Sequence, residues 1–264
     1  MHLLYPANPL RARQPDEQFA AELEAVRDAG FETSVFSIED FQAGEFRATP
    51  ALPTGAEVLY RGWMMSTSEY ESLVSNLAQA EARPVTPLES YLASHHLPNW
   101  YSRISDLTPE TRVFSPDDDL ETELRALAWP EFFIKDYVKS LKTSVGSRIS
   151  RPEEVAAVVA DMKRFRGVIE GGFCIRRVES FLPETERRYF ILDGVPHAST
   201  GDVPPIVREC VKRLGSRFYS VDVIQRTDDQ FRIVEVGDGQ VSDLVGWTPE
   251  AFARILAEHF VPSI

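Results

Sequence analysis

The chain has 264 residues, of which 43% are apolar and 26% are charged, as is usual for globular proteins. Its 28 Lys and Arg against 41 Asp and Glu give a net charge of -13, which makes nucleic acid a poor partner because the phosphate backbone would be repelled. Cys174 and Cys210 match no disulfide framework or metal motif, and no apolar run is long enough to span a membrane. The composition predicts a folded cytoplasmic protein that uses neither nucleic acid nor a membrane as partner.

The first third of the chain alternates predicted strands with predicted helices. Apolar runs predict strands over His2–Tyr5, Thr33–Ile38 and Glu57–Trp63, and helical periodicity predicts helices over Asp16–Ala29 and Ser68–Ala82. Strands and helices in alternation are typical of a small parallel sheet. The front of the chain is therefore predicted to be an α/β unit.

The middle of the chain has weaker periodicity and carries a lysine in an unusual setting. Residues 83–114 are rich in Pro, Ser, His and aromatic residues, which indicates a connecting or second lobe. Packing is favoured over metal ligation for His95 and His96, because adjacent side chains diverge and no acid or cysteine accompanies them. Phe132–Tyr137 predicts a buried strand, in which Lys135 stands out because buried strands rarely carry a lysine.

Helices are predicted on both sides of that strand. One covers Asp119–Leu127, and another covers Ser150–Phe165 with Ser150 and Glu153 as a capping box.

The C-terminal half has the pattern of antiparallel strands with helices packed on them. Asp193-Gly194 predicts a two-residue hairpin turn, and a second turn is predicted at Asp228-Asp229. Helices are expected near Ile206–Leu214 and after Thr248, which is followed by Pro249 at the first helical position. The fold class is thus α/β at the front and α+β behind it.

Two carboxylates are candidates for a metal site on the second hairpin. Positions paired across a two-residue turn have a constant sum, which sets Asp222 opposite Glu235. Like charges so placed are destabilising unless a cation lies between them, and oxygen ligands suit a divalent cation. A solvated sheet face is the alternative, but the flanking valines favour burial. Asp238, in a Gly-Asp-Gly turn, is a third oxygen donor within plausible reach.

The stretch from Phe132 to Gly246 resembles the ATP-grasp ligases, which include RimK-like carboxylate-amine ligases and D-alanine–D-alanine ligases. The resemblance implies that Lys135 contacts the phosphates of ATP. It also implies that the loop Val138–Gly146 closes over those phosphates, with Lys139 as a nucleotide-binding candidate and Lys142 as a catalytic one.

The same resemblance implies a hinge that binds adenine through backbone groups. The matching residues are Arg176, Arg177 and Val178, and Glu179 is a nearby alternative for the ribose contact. The family's E-x-R-x-F strand is matched by Glu186, Arg188 and Phe190. The acid is implied on ribose or hinge and the arginine on phosphate or substrate.

The family's Mg²⁺ ligands come from an Asp on one strand and an E-x-N motif on the next. Asp222 and Glu235 match the two acids, so the resemblance and the pairing argument indicate the same residues. Gly237 holds the position of the Asn, and Asp238 is the candidate substitute.

The resemblance implies an ATP-dependent ligase with Mg²⁺ that joins a small carboxylate to an amine through an acylphosphate. Residues 1–115 would be a substrate-side domain and 116–264 the ATP-grasp region. Arg61 and Arg188 are candidates to clamp a substrate carboxylate, although Arg61 is equally compatible with a structural role. The alternatives are a kinase-like phosphotransferase and a non-catalytic ATP-binding module, and the oligomeric state is left open, with a homodimer among the options.

Overall fold

The computed structural model describes residues 1–138, 147–166 and 169–260. The chain forms two compact units, each built from separated stretches. The first comprises Met1–Leu92, Arg187–Val221 and Gly237–Ile264, and the second comprises Ala93–Glu186 and Asp222–Val236. The functional division into 1–115 and 116–264 is a different kind of boundary and stays a prediction.

The first unit contains the parallel sheet that the alternating pattern predicts. Its strands are β1 (His2–Asn8), β2 (Arg11–Pro15), β3 (Glu32–Phe36), β4 (Glu57–Tyr60) and β5 (Arg83–Pro84). Strand β1 pairs in parallel with β3 and β4, and β4 pairs in parallel with β5, whereas β2 returns antiparallel to the end of β1. The prediction of a small parallel sheet is confirmed.

Both faces of this sheet are buried, as a parallel sheet requires. The connecting helices are α1 (Ala20–Asp28), α2 (Ile38–Gln42) and α3 (Thr67–Gln79). Leu3 packs on one side with residues of α1 and of the C-terminal helix, while Leu4 packs on the other side with residues of α3. Helix α3 begins at a capping box formed by Ser66 and Glu69, which satisfies backbone donors at its first turn.

The second unit contains an antiparallel sheet covered on one face by helices. Its elements follow α4 (Leu88–His95), which crosses the unit boundary, and are α5 (Leu97–Ile104), β6 (Thr111–Phe114), α6 (Leu120–Leu127), β7 (Phe132–Asp136), β8 (Arg148–Ile149), α7 (Val155–Arg166) and β9 (Phe173–Arg177). The strand order is β6–β9–β7–β8. Phe132, Ile134, Phe173 and Ile175 pack with residues of α6 and α7 in one apolar core.

The last sheet has strand order β11–β10–β12–β13. Its elements are β10 (Phe181–Leu192), β11 (Val195–Ala198), α8 (Pro205–Arg213), β12 (Phe218–Arg226) and β13 (Phe231–Asp238), followed by α9 (Pro249–Phe260). Leu192 pairs with Val195 across Asp193-Gly194, whose φ angles are 46° and 79°. The predicted two-residue hairpin is confirmed, since Asp and Gly tolerate the left-handed region that this turn requires.

The turn between β12 and β13 differs from the prediction. Arg226 donates its N–H to the carbonyl of Gln230 at 2.7 Å, and the N–H of Asp229 donates back to the carbonyl of Arg226 at 3.1 Å. Asp229 has φ 65°, so three residues form the loop. The two-residue turn was therefore wrong, and counting outward from Arg226–Gln230 without a further shift sets Asp222 opposite Val234. Opposition of Asp222 and Glu235 does not follow from the turn and stays a prediction.

Two further local predictions need correction. Residues 83–114 form the helices α4 and α5 as well as β6, although their periodicity is weak. The capping box expected from Ser150 and Glu153 is instead made by Glu154, whose carboxylate accepts from the N–H groups of Ser150 and Arg151 at 3.2 Å each. A short 3-10 turn at Pro152–Glu154 shifts the start of the α-helix to Val155. Among the described residues, no helix is long and apolar enough to cross a membrane.

Candidate functional site

Lys135 lies on the sheet face opposite the apolar core of the second unit. In the ladder between β7 and β9, Phe133 pairs with Arg176 and Lys135 pairs with Cys174. Because side chains alternate along a strand, these four share one face, while Ile134 packs into the core on the other. Two cationic side chains therefore stand on one side of one sheet.

The ammonium group of Lys135 is held by Glu235. Nζ donates to both carboxylate oxygens of Glu235 at 2.9 Å. The lysine side chain is 2% exposed and the glutamate side chain 36%. A cation removed from water needs a partner, which Glu235 supplies. The structure thus brings together two residues that the sequence assigned to one site.

Arg176 comes from the neighbouring strand and is also buried. Its guanidinium donates to the carbonyl of Val234 and to Oγ1 of Thr108, while no described residue accepts a hydrogen bond from its Nε. Burial lowers the pKa of Arg176, and the Glu235 carboxylate opposes that shift. A buried donor without an acceptor costs free energy, so an anionic oxygen would be favoured there.

The backbone contact expected between adenine and residues 176–178 is limited by the sheet itself. The N–H of Arg177 donates to the carbonyl of Glu110 at 2.8 Å, and the N–H of Val178 donates to the carbonyl of Glu131 at 3.3 Å. The prediction is wrong for these two donors, because protein carbonyls already take them. Contacts through the carbonyl groups of this stretch stay a prediction.

Glu179 is engaged by two arginines of the β12–β13 hairpin. Its Oε2 lies 3.2 Å from Nη1 of Arg226 and 3.0 Å from Nε of Arg232, and its side chain is 15% exposed. Thr227 adds a backbone bond to the carbonyl of Ser180 at 3.1 Å. The ribose role predicted for Glu179 is therefore corrected: its carboxylate fastens the hairpin.

Asp222 and Glu235 stand on neighbouring strands, and Asp222 is 7% exposed. Within the described ranges, no group of three His, Cys, Asp or Glu side chains that could hold a metal ion occurs. Mg²⁺ commonly takes one or two protein carboxylates and completes its shell with water and phosphate oxygens. The chemistry of these two donors therefore fits Mg²⁺ only together with a phosphate ligand.

Asp238 is fully buried in the first unit and is used locally. Its Oδ1 accepts from the backbone N–H of Gln240 at 3.0 Å and from the side-chain amide of Gln240 at 3.1 Å, which caps a short 3-10 turn. These contacts give Asp238 a structural role in place of the predicted one as third metal ligand. A Cβ at Gly237 would lie 3.2 Å from Oγ of Ser242 and 3.3 Å from Oγ of Ser220, so the position leaves little room for the family's Asn.

Arg61 belongs to the interior of the first unit. It donates from Nε and Nη2 to the two carboxylate oxygens of Glu22 at 2.7 Å each, and from Nη1 to the carbonyls of Gly239 and Ser242. Its side chain is 2% exposed. The predicted substrate clamp is wrong for Arg61, because the guanidinium is enclosed and its donors are already taken.

The remaining predicted residues are placed without a shared centre. Arg188 donates to the carbonyl of Asp243 at 2.8 Å in the first unit, and Glu186 is exposed on β10. Lys139 and Lys142, with the loop to Gly146, lie outside the described residues. The nucleotide and catalytic roles of these four stay predictions.

The adjacent histidines behave as packing residues. His95 is buried, and Nε2 of His96 lies 3.4 Å from Glu170 while its ring meets Tyr137 edge to face. The described part of the chain therefore agrees with packing, the favoured interpretation.

Two residues at this site had no place in the sequence prediction. Asp136 accepts from the N–H of Val138 at 2.8 Å, which an Asp at the end of a strand could have signalled. Thr108 bonds Arg176 and the carbonyl of Ile233, which lie 68 and 125 residues away in sequence. No local pattern could have indicated those partners.

A lysine on an antiparallel sheet, with acids on a following hairpin, defines the class of protein as an ATP-grasp domain. The sequence model of an ATP-grasp domain family, the third family of its clade, matches residues 117–256, which is more than half of the chain. The chain belongs to this family, and the predicted resemblance is confirmed.

Solved structures show the same fold over nearly the whole chain. D-cycloserine synthetase DcsG is 15% identical with TM-score 0.64, and the match covers 98% of this chain and 99% of that one. For a RimK domain ATP-grasp protein from Sphaerobacter thermophilus the values are 16%, 0.64, 99% and 100%, and for the D-alanine-D-alanine ligase from Coxiella burnetii they are 14%, 0.65, 98% and 94%. At such identities the likeness establishes the fold. No curated protein sequence matches the chain.

Proposed function

We propose that this protein is an ATP- and Mg²⁺-dependent ligase that joins a small-molecule or peptide-like carboxylate to an amine. The observation that carries the proposal is the buried Lys135 ammonium, held by a partly exposed carboxylate, Glu235, that matches a family metal ligand. Membership of the ATP-grasp family supports ATP as the energy source. The similar structures include enzymes named as a D-alanine-D-alanine ligase and a D-cycloserine synthetase, which supports carbon–nitrogen bond formation.

The Lys135–Glu235 pair is suited to exchange partners when a nucleotide binds. Phosphate oxygens would replace Glu235 at the ammonium, because a buried cation must keep an anionic partner. The released Glu235 carboxylate would then join Asp222 in holding Mg²⁺, which, when bound, would neutralise negative charge on the phosphates. The unpartnered Nε of Arg176 offers a further buried donor on the same sheet face.

The proposed reaction has two steps, in which this chain mainly positions the reactants. A substrate carboxylate oxygen attacks the γ-phosphorus of ATP, the bond to the β–γ bridging oxygen breaks, and ADP leaves. The amine then attacks the acylphosphate carbonyl, losing a proton and releasing phosphate. Lys135 would orient the phosphates in line, and Arg188 is the remaining arginine proposed to hold substrate or phosphate.

Replacing Lys135 by Met tests the nucleotide site while preserving the length of the side chain. The loss of a charge-assisted contact should weaken binding of a non-hydrolysable ATP analogue with Mg²⁺ about 10- to 100-fold. Isothermal titration calorimetry measures this, with Lys163→Met as matched control, because Lys163 is exposed on α7. Unchanged affinity in a folded Lys135→Met protein would refute the assignment.

Substrate-dependent ADP release tests the reaction itself. Amino acids and short peptides would be supplied singly and in pairs, and products identified by mass spectrometry. A ligase requires both a carboxylate and an amine, and the joined product appears. ADP formation with one acceptor and a stable phosphorylated product would instead indicate a phosphotransferase.

A further inference from the structure

The outer edge of β13 is bonded to the segment that precedes β6. Ile233 donates its N–H to the carbonyl of Leu107 at 2.9 Å, and the hydroxyl of Thr108 donates to the carbonyl of Ile233 at 2.7 Å. Thr108 is 2% exposed. The backbone just before Glu235 is therefore held from the side as well as by its own hairpin.

Thr108 is also the acceptor for Arg176, so its hydroxyl is used in both directions. Arg176 donates to Oγ1 of Thr108 and to the carbonyl of Val234. The carbonyls of Ile233 and Val234, the two residues before Glu235, are thus each held by a buried side-chain donor. Buried polar groups of this kind are costly to leave unpaired, which makes the arrangement rigid.

We propose that Thr108 is a positioning residue that sets the orientation of the Glu235 carboxylate through Arg176 and the backbone of β13. The inference rests on the proposed function, in which Glu235 holds Mg²⁺ on the nucleotide. Thr108 contacts neither ligand. It acts by holding the carbonyl of Ile233 and by keeping Arg176 on the carbonyl of Val234, so that Glu235 meets the metal and Lys135 in one geometry.

Removing only the hydroxyl tests this role. Thr108→Val keeps the shape of the side chain and loses both hydrogen bonds, whereas Thr108→Ser keeps them and is the matched control. The Mg²⁺ concentration that gives half-maximal binding of a non-hydrolysable ATP analogue should rise about 10- to 100-fold in Thr108→Val, as for residues that support metal ligands in other proteins. Thr108→Ser should stay close to the parent.

Binding of the same analogue in the presence of EDTA separates positioning from general damage. This metal-free affinity should be equal in the parent and both variants, because Lys135 is untouched. If Thr108→Val weakens metal-free binding as much as Mg²⁺-dependent binding, or if it behaves like Thr108→Ser, the positioning role is overturned. Should Thr108→Val fail to fold, Arg176→Lys carries the same test, since a lysine cannot donate to both acceptors.

Failure of the positioning role is distinguishable from failure of the proposed function. A parent that binds the analogue with Mg²⁺, together with unaltered Mg²⁺ dependence in Thr108→Val and Arg176→Lys, overturns only the role of Thr108. A parent whose binding shows no dependence on Mg²⁺ overturns the metal site and, with it, this assignment.

Discussion

The contacts of single charged residues show how burial decides their role. Arg61 and Lys135 both stood out as cations in apolar strands, and both prove to be buried and paired with a glutamate. They differ in the partner: Glu22 is 5% exposed in its side chain and Glu235 is 36% exposed. A fully enclosed pair is structural, whereas a pair with one accessible carboxylate is able to exchange partners.

Arg61→Met should destabilise the fold without being a binding-site defect. Removing the cation leaves Glu22 buried and unpaired, which costs about 3–5 kcal/mol. The free energy of unfolding from urea denaturation measures the loss. Arg125→Met, which removes an exposed arginine paired with Glu121 on α6, is the control and should change stability little.

The combined variant Glu22→Leu with Arg61→Met should recover part of that loss, because no unpaired charge remains. An Arg61→Met protein as stable as its parent would contradict the structural role and reopen substrate binding.

At the scale of elements, the end of β7 is shaped by a glycine in the segment before β9. Gly171 has φ 77°, and a Cβ there would lie 2.1 Å from Cδ2 of Tyr137. Tyr137 also donates its N–H to the carbonyl of Glu170 and accepts from the N–H of Leu97. The strand that carries Lys135 therefore leaves the sheet in a direction set by close backbone packing.

Gly171→Ala should be more destabilising than a glycine substitution with strain alone. Gly201 has φ 70° with nothing within 4 Å of its Cβ position, so Gly201→Ala isolates the left-handed strain, about 1–2 kcal/mol. Gly171→Ala adds overpacking against Tyr137, about 1–3 kcal/mol more. Thermal and urea unfolding compare the two.

The extra cost of Gly171→Ala should disappear in a Tyr137→Ala background, which completes a double-mutant cycle. Equal destabilisation by Gly171→Ala and Gly201→Ala in the parental background would show that the ring yields freely and does not define the path of the chain.

At the scale of the whole molecule, the response of stability to acid has a source in two histidines that form a close contact. The Nε2 atoms of His197 on β11 and His259 on α9 are 2.8 Å apart. Burial lowers the pKa of His197 and His259 lowers it further, while Glu258 opposes the shift. Protonation therefore favours the unfolded chain.

Stability should fall as the pH decreases through this range. The depressed pKa means that the contribution of His197 is complete above its ordinary value of 6.5 and is lost as the pH falls through the folded-state pKa. Melting temperatures at about pH 7.5 and about pH 5.5 measure the loss, and His197→Gln should lose less than the parent. Equal losses in the two proteins would rule out this source of acid sensitivity. His2, whose pKa is also lowered mainly by burial, is present in both and cancels.

The sequence by itself determined the elements and the family, because those depend on local patterns. Periodicity located the parallel sheet, Asp193-Gly194 located a hairpin through its left-handed angles, and Lys135 stood out as a charge in an apolar strand. It also placed Asp222 and Glu235 on consecutive strands, which local pattern suffices to do.

Only the tertiary structure decided how each charged side chain is used. Arg61 meets Glu22 across 39 positions, and Lys135 meets Glu235 across 100. Glu179 and Thr108 likewise owe their roles to partners that are distant in the chain. Burial and pairing depend on which surfaces the fold brings together, and a charge removed from water must take the partner it finds there. That choice is made in three dimensions, so residue types and spacing alone do not contain it.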